Sequence, residues 1–457
     1  MIKKVLVILL LSVGSLNAQE LTTIKGTIKN FSDGLISLTI YPNWEVNPVE
    51  HYISIDSSGR FEFETNLTAY NYIDLNIGKI GYLFWMIKGG DDVYLLLDYN
   101  DPIGSFYTSG TGGSKFLFMH DYFVNYEHGL DADLKVKNNY NQSLPAFVSY
   151  VDSLSQSKLK FLESKRKTIL DEFFLLKKAD IIGKRNRQIV EYAQSNNLAP
   201  ADVKKNLEFF SVSPERQALS FEFNDFFDEW IDLNKQFQEF EALSLVDELN
   251  FIRVLFFNGQ MERPMAELKM HQRVLRFVEN HTYLPEMQKG VDEYYAFVRN
   301  DKLKATIKNS IDRKKRFFDG FMLPVVSFIK QDGKELKNKE LEKKNTLLYI
   351  YEDDCIICED DFDYFNLVAS NFDKKDKFQF YTIPLKGKSD LFFEAKTNAE
   401  LRPSNEDQIK TTFAFKESPG IYLIDTEGKV FGDLPEPALD EGRSLIKAIR
   451  DHIPKKD

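Results

Sequence analysis

Thr346-Leu-Leu-Tyr-Ile-Tyr-Glu-Asp-Asp-Cys-Ile-Ile-Cys358 is the stretch on which the reading of this chain turns. Thr346 to Tyr351 is a near-continuous apolar run, the pattern of a strand buried on both faces. Directly after it, where a helix should begin, stand Cys355 and Cys358. They are the only 2 cysteines among 457 residues. A helix N-terminus presents free N–H groups and a partial positive charge, which stabilise a thiolate at Cys355. A spacing of three puts the second sulfur within reach on the first helical turn. Cys355 is then able to attack a partner disulfide, and Cys358 to resolve the mixed disulfide. Two blander readings stand beside this one. An inert structural disulfide at this spacing would close too small a loop to stabilise much by chain entropy. Half of a metal site would need a second pair of ligands, and none is evident.

The flanks continue the alternation of strand and helix over 321–457. Val325 to Ile329 reads as a short strand before an Asp332-Gly333 turn. Phe362, Phe365, Leu367, Val368 and Phe372 fall on a helix after the cysteines, and Phe378 to Pro384 is a further strand. Ile421 to Ile424 and Lys429 to Phe431 flank the turn Thr426-Glu427-Gly428, and Leu445, Ile446 and Ile449 close with a helix. The order is β–α–β, then a hairpin and a terminal helix.

On these residues the region resembles the thioredoxin-fold domain of the TlpA/ResA-like exported thiol–disulfide oxidoreductases. Leu323-Pro324 with Asp332-Gly333 resembles the opening hairpin of that group. Leu347 to Tyr351 followed by Cys355-x-x-Cys358 resembles its central strand and active-site helix. Ser418-Pro419 ahead of Ile421 to Asp425, with Glu427-Gly428-Lys429, resembles its cis-proline loop and following hairpin. The resemblance implies a cis peptide at Ser418–Pro419 facing the cysteines, with the Ser418 backbone holding an incoming peptide as an added strand. It implies Cys355 as nucleophile, Cys358 as resolving thiol, and no organic cofactor or metal. The implied partners are disulfide-containing protein substrates and an upstream membrane thiol electron donor. The chain departs from the group where Asp354 replaces a tryptophan, where Ile356-Ile357 separates the cysteines, and where Tyr349 takes the place of a buried proton-transfer carboxylate.

Charge around the motif is one-sided. Glu352, Asp353 and Asp354 precede it, Glu359, Asp360, Asp361 and Asp363 follow, and no cation lies between. Carboxylates are favoured in a first helical turn. They also oppose a thiolate, which favours the disulfide and lowers the reduction potential. The expected activity is that of a reductant or isomerase-like enzyme, not of a strong oxidant.

The remaining chain sets the compartment and the frame. Met1 to Ala18 carries Lys3 and Lys4 ahead of a short apolar run and a small-residue end, which reads as a cleaved secretory signal peptide and a periplasmic or otherwise exported product. The apolar run is too short for a membrane span, and no later run is longer, so no transmembrane segment is expected in the mature chain. Residues 19–112 alternate with period two in Thr23 to Lys29, Leu35 to Ile40 and Arg60 to Glu64, which predicts an all-β sandwich-like domain. Residues 113–320 read as helical. Phe147, Val151, Leu154 and Phe161 form a stripe that Lys158 breaks. Phe221, Phe223, Phe226, Phe227 and Trp230 form a second one, read as helix–helix core ahead of a peptide groove. The glycines from Gly110 to Lys115 lack the spacing of a phosphate loop. The fold class is thus multidomain: an N-terminal all-β sandwich-like domain, a central α-helical region and a C-terminal α/β thioredoxin-like fold over 321–457. With 59 Lys and Arg against 70 Asp and Glu, the net charge is −11, which argues against a nucleic-acid partner. The rival to an enzyme is a non-enzymatic envelope binding or assembly protein whose thioredoxin-like fold is redox-inert.

Overall fold

The computed structural model describes residues 20–31, 36–41, 48–67, 70–127, 132–210, 212–237, 244–280, 287–352, 358–372, 378–385, 399–415, 419–432, 434–435 and 437–452. The proposed signal peptide, Met1 to Ala18, lies outside them. The chain divides into two compact units, Met1–Gln272 and Arg273–Asp457.

The first unit opens with eight strands: β1 Glu20–Lys29, β2 Ile36–Tyr41, β3 Val49–Ile53, β4 Arg60–Leu67, β5 Tyr70–Ile77, β6 Ile80–Lys88, β7 Asp92–Asp98 and β8 Tyr107–Thr111. They form two four-stranded sheets, ordered β4-β1-β7-β8 and β3-β2-β5-β6. Alternating residues such as Ile24, Val93 and Leu95 of one sheet and Leu38, Ile73 and Leu75 of the other share a single core. The period-two pattern of β7 is the direct cause, since Val93, Leu95 and Leu97 point inward. One pairing was not readable in advance: β1 runs antiparallel to β4 but parallel to β7.

The glycine-rich stretch after β8 is a helix entry. Gly112 adopts φ 89°, a left-handed conformation that glycine accepts without Cβ strain, and the helix Gly113–Tyr126 follows. Lys115 is buried and paired with Asp91, so its ammonium is already occupied.

The helices that follow include Leu144–Ser164, Asp171–Ser195 and Phe221–Gln236. Phe223, Phe226, Phe227 and Trp230 are fully buried. They are core residues, each contributing roughly 1.5–3 kcal/mol of burial for a phenylalanine-sized side chain. Gly183 permits the close approach of two helices: a Cβ there would sit 2.5 Å from the backbone nitrogen of Phe223. Buried Asp180 accepts hydrogen bonds from Tyr72 Oη and Ser220 Oγ, both at 2.7 Å, and so ties β5 to two helices.

The second unit contains β9 Phe321–Met322, β10 Ser327–Lys330, β11 Glu335–Lys337, β12 Asn345–Glu352, β13 Phe378–Leu385, β14 Ala399–Pro403, β15 Gly420–Ile424 and β16 Lys429–Phe431. They make one eight-stranded sheet ordered β11-β10-β14-β13-β12-β15-β16-β9. β12 lies inside it, parallel to β13 and antiparallel to β15. Its alternate residues feed two separate cores. Leu347, Tyr349 and Tyr351 pack with residues of the helices Cys358–Asn371 and Arg443–His452, such as Phe365 and Leu445. Leu348 and Ile350 pack with Phe317, Ile409 and Phe413. This is the physical meaning of the unbroken apolar run, because a strand covered on both sides has no face left for water. The strand expected from Val325 begins two residues later, at Ser327. Val325 follows Pro324 and is 86% exposed.

Candidate functional site

β12 ends at Glu352, and the helix Cys358–Asn371 begins six residues on. Cys358 is 1% exposed and belongs to the core between β12 and the helices. Its place follows from the helical repeat, since Cys358, Asp361, Phe362, Phe365, Val368 and Ala369 recur at the spacing of one helix face and all are buried. Cys355 lies outside the described residues.

Asp361 stands on that inward face, one turn beyond Cys358. It is 1% exposed. Its Oδ1 accepts the backbone N–H of Ala438 at 2.8 Å, and Tyr349 Oη donates to its Oδ2 over 3.4 Å. Two bonds to a carboxylate in this setting offset part of a large burial cost. The sequence groups Asp361 with the carboxylates favoured in a first helical turn. The signal that separates it was available: it shares the stripe of Phe365 and Val368, whereas Asp363 falls outside it and is exposed. Tyr349 is fully buried and supplies a hydroxyl to this carboxylate from the strand below.

The acidic run is countered in space. Lys410 Nζ lies 2.8 Å from Glu352 Oε1, across 58 residues of sequence. The run that has no cation along the chain thus meets one in space at its first acid, Glu352. The pair is partly exposed, so it is worth at most about 1 kcal/mol.

Pro419 is half-buried and immediately precedes β15. Gly420 pairs with Ile350, so Pro419 stands at the same end of the sheet from which β12 leaves toward the cysteine motif. Ser418, and with it the peptide bond to Pro419, lies outside the described residues. Among the described residues no group of three or more His, Cys, Asp or Glu side chains is placed to hold a metal ion. Among them, too, no helix is long and apolar enough to cross a membrane.

No protein-family model matches the chain, and no curated protein matches it. Solved structures resemble part of it. The thioredoxin domain of a thiol-disulfide oxidoreductase from Bacteroides vulgatus is 18% identical, covering 30% of this chain and 97% of that one with a TM-score of 0.25. A thiol:disulfide interchange protein from Bacteroides sp. is 17% identical over 30% of this chain and 92% of that one, with a TM-score of 0.25. ScoI of Arabidopsis thaliana, solved with copper bound, is 18% identical over 29% of this chain and 100% of that one, with a TM-score of 0.24. Scores this low leave the reading of this chain to its own residues and topology.

Proposed function

We propose that this protein is an exported thiol–disulfide oxidoreductase that reduces protein disulfides through Cys355 and Cys358, within a thioredoxin-like domain over 321–457. The observation that carries the reading is the coincidence of sequence and topology. The only 2 cysteines of the chain stand at Cys-x-x-Cys spacing, at the end of a strand buried on both faces, and the second one opens the next helix on its buried side.

The Cys355 thiolate attacks one sulfur of a substrate disulfide. A mixed disulfide forms, and the first substrate sulfur leaves as a thiolate that takes up a proton. Cys358 loses its proton and attacks Cys355 sulfur, which frees the second substrate thiol. Two electrons and two protons pass to the substrate, and the enzyme is left as the Cys355–Cys358 disulfide. A membrane thiol donor would return it to the dithiol. Pro419 and the Ser418 backbone would align the substrate as an added strand beside β15. The acids that flank the motif in sequence support the reducing direction to the extent that Lys410 leaves them uncompensated, since a net negative field disfavours the thiolate relative to the disulfide.

The test is a dithiothreitol-coupled disulfide-reduction assay on the full chain. The Cys355→Ser variant is expected to lose all turnover, and Cys358→Ser to accumulate mixed disulfides visible on non-reducing gels. Wild-type turnover in either variant, or a reduction potential as high as about −120 mV, would remove the reading. A pair that never cycles with dithiols would instead favour a redox-inert binding protein of the envelope.

A further inference from the structure

Lys158 interrupts an otherwise apolar helical stripe, and the redox reading has no use for it. Its surroundings do. A cavity of about 200 Å³ opens between the helix Leu144–Ser164 and its neighbours, with Val136, Val151, Leu154 and Ile181 in its lining. Four cations also line it: Lys135, Lys158, Lys184 and Arg185. Among the described residues no carboxylate lines it, although the chain as a whole carries a net charge of −11.

Arg185 is already engaged, with Nε on Asp152 Oδ1 and Nη1 on the Asn206 carbonyl, both at 2.7 Å. Lys158 differs. Among the described residues it makes neither an ion pair nor a hydrogen bond. Its ammonium lies 5.7 Å from the Tyr122 ring and 6.0 Å from the Tyr126 ring. Lys177 Nζ also lies over the Tyr122 ring, at 4.3 Å. Burial, followed by the charges of Lys184 and Lys177, pushes the Lys158 amine down to about 8, against the opposing pull of Glu127 and Glu222. A half-buried ammonium that meets ring faces but no directly paired carboxylate among the described residues is under-compensated, and an anion in the cavity would relieve that cost.

Size and lining decide what kind of anion. An engineered apolar cavity of about 150 Å³ in another protein admits benzene. The present cavity is larger by enough for one further polar group: Asn125, Ser155 and Gln188 line it beside the cations and suit an anionic head, whereas Val136, Val151, Leu154 and Ile181 form an apolar wall that a wholly polar ion such as inorganic phosphate would leave unused. We propose that this cavity is a binding site for a small carboxylate with an aromatic or compact aliphatic body, its charge against Lys158 and its body against Val136, Val151, Leu154 and Ile181.

Isothermal titration of the full chain with benzoate tests this, with benzyl alcohol and inorganic phosphate as comparison ligands. Saturable one-site binding of benzoate is expected, with benzyl alcohol and phosphate at least tenfold weaker. Lys158→Met, which keeps the stem and removes the charge, is expected to weaken benzoate roughly 10- to 100-fold while the circular dichroism stays that of the wild type. Should that variant fail to fold, the wild-type pH profile decides. Affinity should fall between pH 7 and 9.5 as the Lys158 amine loses its proton. No benzoate binding at 10 mM ligand, equal binding of benzyl alcohol or phosphate, undiminished binding by folded Lys158→Met, or a flat pH profile would each overturn the proposal.

Discussion

The cysteine segment and the lysine cavity gather charge in opposite ways. Around Cys358 the acids stand close together in sequence, and the described ones part company in space. Glu352 is drawn to Lys410, Asp361 turns inward to the Ala438 amide and the Tyr349 hydroxyl, and Asp363 stays in water. In the helical middle, Lys135, Lys158, Lys184 and Arg185 come from three separate helices, and packing collects them around one cavity. A run of like charge in a sequence is thus a poor guide to the local field, and scattered charges are able to build a strong one. Coulomb energies fall with distance in space and with solvent screening, and neither is a function of sequence separation.

Four experiments test this contrast. The largest effect belongs to the sulfur chemistry itself: complete loss of disulfide reduction in Cys355→Ser, read in the coupled assay, because no charge arrangement rescues a missing nucleophile. Residual turnover there would mean that the acids around the motif act on something else.

Next comes the buried carboxylate of the helical middle. Burial holds Asp180 up to about 6, above its ordinary value, against the opposing charge of Lys177 and the hydrogen bonds of Ser220 and Tyr72. The folded state therefore binds this proton more tightly than the unfolded chain does. Its contribution to stability is fully present below about pH 4 and is lost as the pH rises to about 6, a change of up to roughly 3 kcal/mol. Urea unfolding of wild type and Asp180→Asn across pH 4 to 7 should show the slope difference. Parallel curves would mean that Asp180 titrates normally.

Asp361 gives a smaller effect. Asp361→Ala leaves the Ala438 N–H without its acceptor and should cost about 1–3 kcal/mol in the same unfolding measurement. Asp361→Asn retains an acceptor oxygen and should cost less; an equal cost would point to the negative charge as the stabilising feature.

The smallest shift is expected from Lys410→Gln. Removing the cation beside Glu352 strengthens the negative field at the motif and should move the potential to more negative values. A partly exposed pair worth about 0.2–1 kcal/mol corresponds to roughly 5–20 mV in a glutathione redox titration. A shift to less negative values would reverse the argument for a reductant.

Legibility in the sequence followed the range of the forces involved. β12, β7 and the helix after the cysteines were readable because burial on two faces, burial on one face and the helical repeat each leave a pattern within a few residues. Cys358 and Pro419 stand out as candidates in the sequence because the chemistry proposed for them is carried by residue type and by neighbours one to three positions away. The parallel pairing of β1 with β7, the inward turn of Asp361 onto Ala438, the approach of Lys410 to Glu352 and the cavity around Lys158 were not readable. Each joins residues that periodicity treats independently, and each depends on which sheet edge or helix face packs against which. Short-range patterning specifies the elements and singles out the candidate cysteine pair, whereas partner choice among distant residues is settled by the packing of whole elements, where dispersion and desolvation are summed over many contacts at once.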